Sequence, residues 1–185
     1  MRSTEIPSPT VPLSDGIVSL RSRRSSDLGA ISDASFDPET RLWLTDPPMD
    51  AEARVESMER VAEAFRTGRS APLVIADHES SEPIGLINLQ FRDDHLATIA
   101  YSVFPAHRGK GVAPRAVRLM AEWAFGHLGL TELWLEIDPQ NVASVRVAEK
   151  CGFEPAGPSD DGGGKLVFVA HKHDAGPAPT ATSPG

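Results

Sequence analysis

A short, basic, glycine-rich segment carries the residue types best suited to chemistry in this chain. Its residues, in order, are Arg108, Gly109, Lys110, Gly111, Val112 and Ala113. Glycine lets a ligand come close to the backbone, and the two cations favour an anion. Apolar residues at helical spacing follow directly, so the unpaired N–H groups and the positive dipole end of a helix are predicted at the same point. The expected ligand is a phosphate or pyrophosphate group.

Two common phosphate-binding loops do not fit this segment. A Walker loop requires GxxxxGK followed by Ser or Thr, and the residues after Gly109 do not match that pattern. The dinucleotide fingerprint GxGxxG requires a third glycine where Pro114 stands, so the match is only partial. A tight strand-to-helix turn with a solvated basic tip is the alternative interpretation of the segment.

A second motif lies downstream at residues 141–153, which read NVASVRVAEKCGF. It resembles the NxxSxxxxxKxGF pattern of the GNAT acetyltransferase superfamily, and residues 108–113 resemble the R/Q-x-x-G-x-G/A loop of the same enzymes. Together with the order of predicted elements, the two motifs extend the resemblance over residues 16–173. The most similar branch contains the bacterial acetyltransferases of ribosomal-protein N-termini.

The resemblance implies that acetyl-CoA is a co-substrate and that an amine is the acceptor. Two neighbouring parallel strands, residues 96–104 and 131–137, would separate at their carboxyl ends and receive the pantetheine arm like an extra strand. The pyrophosphate would lie on residues 108–113 and the thioester near Val103, where a backbone N–H can polarise its carbonyl. Asn141 would cap its helix, hold the pantetheine, or do both.

The resemblance identifies the catalytic groups less completely than the cofactor-binding residues. Many family members use a tyrosine as the acid on the last helix, where this chain has Ala148, and Tyr101 is the only tyrosine in the chain. Ser144 resembles the serine that this branch offers to the cofactor sulfur or pantetheine; the alternative is a helix-start residue that bonds its own backbone. Glu136 is the candidate base, directly or through water, although its face of the strand could equally be solvated.

The surrounding pattern predicts an α/β protein with a mixed sheet of about six to seven strands and helices on both faces. Strand patterns at residues 71–77, 84–92 and 96–104 form an antiparallel series that leads into the loop. The helix after the loop crosses to the strand at 131–137, which must therefore run parallel to 96–104. The proline-containing segment 37–49 is expected to be a loop that either covers the substrate side or packs Trp43 in the core.

The 185 residues and 40% hydrophobic content suit one soluble domain at residues 16–173, with disordered ends at 1–15 and 174–185. A net charge of −8 argues against nucleic-acid binding. The single cysteine excludes an internal disulfide, no metal site is expected, and His171 with His173 lacks a third ligand. Without a membrane span or signal peptide, a cytoplasmic location is expected, and a homodimer is possible.

The sequence is compatible with three functions. The leading hypothesis is an N-acetyltransferase in which a primary amine, on a peptide or a small molecule, attacks acetyl-CoA directly in a ternary complex. The second is a catalytically silent acyl-CoA-binding sensor or interaction module, which the alanine at position 148 keeps open. The third is another kind of nucleotide-binding domain, which Pro114 and the strand order disfavour.

Overall fold

A computed structural model describes residues 5–44, 47–159 and 163–172. Within them the strands are β1 (Leu13–Ser14), β2 (Val18–Arg21), β3 (Ser70–Asp77), β4 (Pro83–Phe91), β5 (Leu96–Val103), β6 (Glu132–Ile137), β7 (Glu154–Pro158) and β8 (Leu166–His171). The helices are α1 (Leu28–Ser35), α2 (Pro38–Trp43), α3 (Ala51–Arg66), α4 (Val112–His127) and α5 (Val142–Lys150).

All eight described strands belong to one sheet, in the order β1-β2-β3-β4-β5-β6-β8-β7. Every neighbouring pair is antiparallel except β5 and β6, which are parallel. The predicted fold class, a mostly antiparallel mixed sheet with one parallel pair, is confirmed. The sheet has one strand more than the upper expectation because Leu13–Ser14 adds to β2 at the sheet edge.

The parallel pair separates, as predicted. β5 and β6 are in register at Leu96 with Glu132, Ala97 with Leu133, and Thr98 with Trp134, and their ladder has no further pair. On its other side β5 stays paired with β4 as far as Val103. β6 likewise stays paired with β8 along its whole length. The gap therefore lies between two strands that are each held firmly from the outside.

Helix ends follow their capping residues. The Asp50 carboxylate accepts the Ala53 N–H at 2.8 Å and begins α3, as expected for an N-cap. α4 begins after Gly111, which adopts φ 75°, a conformation that favours glycine. The apolar stripe of α4, including Ala116 and Met120, is fully buried against the sheet. α4 packs on β2, β4 and β5, whereas α5 packs on β6 and on α4.

The amino-terminal arm differs from the disorder expected of residues 1–15. Ile6 is 3% exposed and its N–H donates to the Phe65 carbonyl at 3.0 Å. β1 follows with two residues in register with β2. The sequence pattern does not predict these contacts, because they involve isolated apolar residues that show no helical or strand periodicity. Residues 1–4 and 174–185, also expected to be disordered, lie outside the described part of the chain.

A buried ion pair joins the end of β2 to the start of α1. Two N–H groups of Arg21 donate to the two oxygens of Asp27, each at 2.8 Å, with side-chain exposures of 5% and 2%. Arg21 also donates to the Ser81 carbonyl, and Asp27 accepts the Arg24 N–H. Burial alone would raise the pKa of Asp27, but the hydrogen bonds from Arg21 and Arg24 outweigh it, so the pKa is lowered.

Candidate functional site

A cavity of about 380 Å³ lies at the end of β5, beyond the point where its pairing with β6 stops. One wall is the end of β5, with Tyr101, Ser102 and Val103. A second wall is the loop at 108–113, and a third is the start of α5. The structure thus brings together the glycine-rich loop, the separated strand and the second motif, whose cavity-lining residues run from Tyr101 to Lys150 in the sequence.

The loop presents backbone to this cavity. Gly109 and Gly111 adopt φ 72° and 75°, and a Cβ added at either would meet nothing within 4 Å. Val112 and Ala113, which also line the cavity, form the first turn of α4. Their N–H groups lie at the positive end of the helix and have no partner in the preceding turn, which suits an anionic ligand. Lys110 is exposed and lies outside the lining.

Arg108 has partners that the sequence did not predict. Its guanidinium donates to Asp37 at 2.7 Å, to Glu39 at 2.9 Å and to the Thr40 hydroxyl at 2.7 Å. Its Nε–H also donates to the Val103 carbonyl at 3.2 Å. The cation expected to face a pyrophosphate is therefore directed towards α2.

The second motif forms the third wall of the cavity. The Asn141 side chain accepts the Ser144 N–H at 3.1 Å, so its predicted capping role is confirmed. Ser144 lines the cavity one turn further along, and its hydroxyl makes no hydrogen bond within its own helix in the described structure. The competing interpretation, a serine that bonds its own backbone, therefore lacks the bond it requires.

Tyr101, in the β5 wall of the cavity, is a neighbour of Ser144. Its hydroxyl is buried and has no hydrogen-bond partner in the described part of the chain. Burial raises the pKa of Tyr101 to about 12, although the neighbouring Ser144 hydroxyl acts in the opposite direction. The phenol is therefore protonated at neutral pH, and its nearest polar neighbour is the Ser144 hydroxyl.

Removing the Tyr101 hydroxyl tests whether this buried group has a hydrogen-bond partner in solution. Tyr101→Phe keeps the ring and removes a buried unpaired group, so we expect the free energy of unfolding to rise by about 1 kcal/mol. Urea unfolding of the unliganded protein measures it. A loss of stability of similar size would show that the hydroxyl has a partner in solution, such as Ser144 or a water molecule.

Two positions named by the sequence lie apart from the cavity lining. The Glu136 carboxylate accepts an N–H of Arg92 at 2.9 Å on the strand face opposite the buried residues Leu135 and Ile137. Ala148, which stands where many family members carry a tyrosine, is fully buried in the core. Neither residue reaches the cavity in this structure.

Sequence reasoning missed α2. Segment 37–49 was expected to be a loop, but Pro38–Trp43 is helical, with Asp37 as N-cap and proline in the first turn. That combination is a known helix-start signal and could have revealed the element. Trp43 is 39% exposed and lines the cavity, so it is not part of the buried core.

Cys151 and the histidines of the last strand are the other side chains that the sequence suggested for chemistry. The Cys151 thiol donates to the Pro114 carbonyl at 3.4 Å, and burial raises its pKa, which does not suit a nucleophile. His171 lies near Glu132, and His173 is outside the described residues. In the described ranges, no three His, Cys, Asp or Glu side chains are grouped for a metal, and no helix is long and apolar enough to cross a bilayer.

The gap fits the pantetheine arm of a coenzyme A in one specific respect. Beyond Thr98 and Trp134, the facing edges of β5 and β6 have no ladder partner in each other. Unpaired backbone groups of this kind are costly unless a ligand or water satisfies them. An extended chain with amide groups supplies the missing donors and acceptors, and the loop amides at the end of the gap suit its phosphates.

Comparison with known proteins gives a consistent result. A family model described as an acetyltransferase (GNAT) domain matches residues 18–154. The probable N-acetyltransferase YjcK of Bacillus subtilis (strain 168) is 43% identical over 61 residues, which cover 33% of this chain and 34% of that protein. The uncharacterized N-acetyltransferase p20 of Bacillus licheniformis is 23% identical over 143 residues, covering 76% and 80%.

A solved structure extends the comparison to the fold. RimJ of Mycobacterium smegmatis, in complex with CoA-disulfide, superposes with a TM-score of 0.74 at 23% identity, covering 87% of this chain and 86% of that one. At this identity the likeness concerns the fold alone. The match to the first curated relative spans about a third of that relative's length, as its 34% coverage shows.

Proposed function

Because the chain belongs to the GNAT acetyltransferase family, we propose that it transfers an acetyl group from acetyl-CoA to a primary amine. The observation that carries this proposal is the gap between β5 and β6, which ends at the amides of the glycine-rich loop. The acceptor is a peptide N-terminus or a small-molecule amine.

In the proposed complex, the loop amides from Gly109 to Ala113 receive the pyrophosphate. Acetyl-CoA supplies the activated acyl group, and the Val103 N–H stabilises negative charge on its carbonyl oxygen. The neutral amine attacks the carbonyl carbon and forms the carbon–nitrogen bond. The carbon–sulfur bond breaks, and its electron pair leaves with sulfur as the CoA thiolate. The proton that the amine loses passes to solvent or to this thiolate, so the products are the acetylated amine and CoA. The Ser144 hydroxyl donates a hydrogen bond to the departing sulfur. Holding both reactants in one cavity supplies the alignment that the reaction requires.

The proposal is tested by binding and turnover together. We expect CoA to raise the melting temperature in a concentration-dependent way, because a ligand that binds only the folded state stabilises it by mass action. We also expect thiol release from acetyl-CoA when peptides and small amines are supplied. Stabilisation by NAD or ATP but not by CoA would contradict the proposal.

A silent acyl-CoA-binding module is the second candidate. Ala148 favours it, since a buried alanine replaces the acid that many relatives use. Such a protein would be stabilised by CoA, as the enzyme would, but would release no thiol with any amine. The two assays therefore separate the candidates.

Substitution of a loop glycine tests the phosphate site. Gly111→Ala places a side chain at φ 75°, which costs about 1–2 kcal/mol and is relieved by movement of the loop. Hydrogen bonds to phosphate depend steeply on distance and angle, so we expect the acetyl-CoA KM to rise about tenfold. Steady-state kinetics with acetyl-CoA as the varied substrate provide the measurement.

Gly129→Ala is the matched control. Gly129 adopts φ 72° just after α4, with nothing within 4 Å of an added Cβ, and it lies outside the cavity lining. Both variants should lose similar stability, but Gly129→Ala should leave the acetyl-CoA KM unchanged. Equal KM values in the two variants would argue against the loop as the phosphate site.

A further inference from the structure

The Arg108 side chain joins three parts of the molecule. It belongs to the loop, it donates to the carbonyl at the end of β5, and it donates to the first turn of α2. With Asp37 at 2.7 Å, Glu39 at 2.9 Å and the Thr40 hydroxyl at 2.7 Å, the ends of the guanidinium are occupied by α2. The position of α2 is thereby tied to the loop and to β5.

α2 depends on such external support. It has six residues, and helices of this length have little stability of their own in water. Leu42, at 71% exposure, contributes little burial. Thr40, in contrast, is buried, and Asp37 accepts both its N–H at 2.8 Å and its hydroxyl at 3.1 Å. Asp37 thus caps the helix and binds Arg108 with the same carboxylate oxygen.

The cavity gives α2 a role. Glu39, Thr40, Trp43 and Leu44 line it, whereas the loop and the separated strand form the parts assigned to the cofactor under the proposed function. α2 is therefore the wall left for the acceptor. Trp43 is its largest side chain at the cavity, and its position depends on where the short helix is held.

We propose that Asp37 and Thr40 are positioning residues for the amine acceptor, which hold Trp43 in the acceptor end of the cavity through their bonds with Arg108. This inference rests on the proposed acetyl transfer. It also assigns the Arg108 guanidinium to the acceptor side, so that the loop amides carry the pyrophosphate without it.

Conservative variants distinguish the loss of the bonds to Arg108 from unfolding of α2. Asp37→Asn retains a good N-cap but loses the charge that faces Arg108. Thr40→Val keeps the shape and removes the hydroxyl, and Thr40→Ser restores it. We expect the acceptor KM to rise about tenfold in Asp37→Asn, where the bond from Arg108 loses its acceptor charge, and in Thr40→Val, where the bond from Arg108 is lost. The acceptor KM should recover in Thr40→Ser. The acetyl-CoA KM should stay within about twofold.

A structural readout accompanies the kinetics. Acrylamide quenching of tryptophan fluorescence, with Trp43→Phe used to subtract the other two tryptophans, reports the accessibility of Trp43. Quenching should increase in Asp37→Asn and Thr40→Val. Glu63→Gln is the control, because it breaks an exposed ion pair with Arg66 on α3, outside the cavity lining, and should change neither KM value nor the quenching.

The outcomes decide between the roles. A raised acceptor KM with an unchanged acetyl-CoA KM and increased quenching supports the proposal. A raised acetyl-CoA KM with an unchanged acceptor KM overturns it, since Arg108 would then serve the cofactor. Unchanged quenching and an unchanged acceptor KM also overturn it. If the wild type releases no thiol with any amine, the acceptor role falls with the proposed function, and quenching still reports whether the network holds Trp43.

Discussion

Replacing Arg21 by methionine is expected to lower the free energy of unfolding by about 3–5 kcal/mol. Arg21 and Asp27 are 4% and 2% exposed, so the substitution leaves a buried carboxylate without its cation. Methionine has a similar length and preserves most of the packing. The decrease in the free energy of unfolding therefore comes mainly from the missing charge and hydrogen bonds. Urea unfolding of the wild type and the variant at pH 7 measures the difference.

The double variant Arg21→Met with Asp27→Leu is the control. Removing both charges takes away the uncompensated carboxylate, so the double variant should recover a large part of the loss. Recovery should be incomplete because the Ser81 carbonyl and the Arg24 N–H lose their partners. If the single and double variants are equally unstable, the loss comes from packing and not from the ion pair.

The same pair determines a pH dependence with a defined sign. The folded-state pKa of Asp27 lies below its ordinary value of 3.8. The contribution to stability is therefore fully present above that ordinary value and is lost as the pH falls through the folded-state pKa. The Arg21→Met variant should lack this part of the acid dependence.

Replacing Ser144 by alanine is expected to lower kcat by about 10- to 100-fold, which corresponds to one hydrogen bond to a developing charge. Ser144 lines the cavity, and its hydroxyl lies beside the Tyr101 hydroxyl. Under the proposed function, this hydroxyl donates to the departing sulfur. Since the bond strengthens as the thiolate forms, the acetyl-CoA KM should change little. Steady-state kinetics with a saturating amine measure kcat.

A second measurement distinguishes leaving-group stabilisation from a structural effect. A hydroxyl that stabilises the thiolate lowers the pKa of the thiol of bound CoA, and ultraviolet absorbance of the thiolate reports that pKa. In Ser144→Ala the thiol pKa should rise towards its value in free CoA. An altered melting temperature with unchanged kcat and thiol pKa would instead identify Ser144 as a residue that only starts its helix.

The sequence predicted those features of the site that depend on residues close to one another in the chain. The glycines at 109 and 111 have positive φ, α4 follows them directly, and Asn141 caps the next helix. Each of these features depends on residues within a few positions of one another, so pattern and spacing suffice. The parallel pairing of β5 and β6 also follows from the length of the crossover between them.

The part that the sequence did not predict depends on distant partners. Arg108 binds α2 across 68 to 71 residues of chain, and no local pattern indicates which anion a cation will meet. The three prolines of segment 37–49 favour a loop, which hides α2, although Pro38 lies at a helix start. The alternation of residues along β6 allows Glu136 as a catalytic base. Its partner Arg92 lies directly after the end of β4, and no local pattern predicts that ion pair.

The short register between β5 and β6 has a mechanical consequence. Only three residue pairs join the ladder of β1 to β5 to the ladder of β6, β8 and β7. Outside this ladder, polar bonds also bridge the two parts of the sheet. Arg92 donates to Glu136 at 2.9 Å, Arg118 donates to the Lys150 carbonyl at 2.6 Å, and Cys151 donates to the Pro114 carbonyl at 3.4 Å. The facing edges of β5 and β6 are therefore the least paired part of the sheet, and amide hydrogen exchange along these edges would report local opening of the two strands.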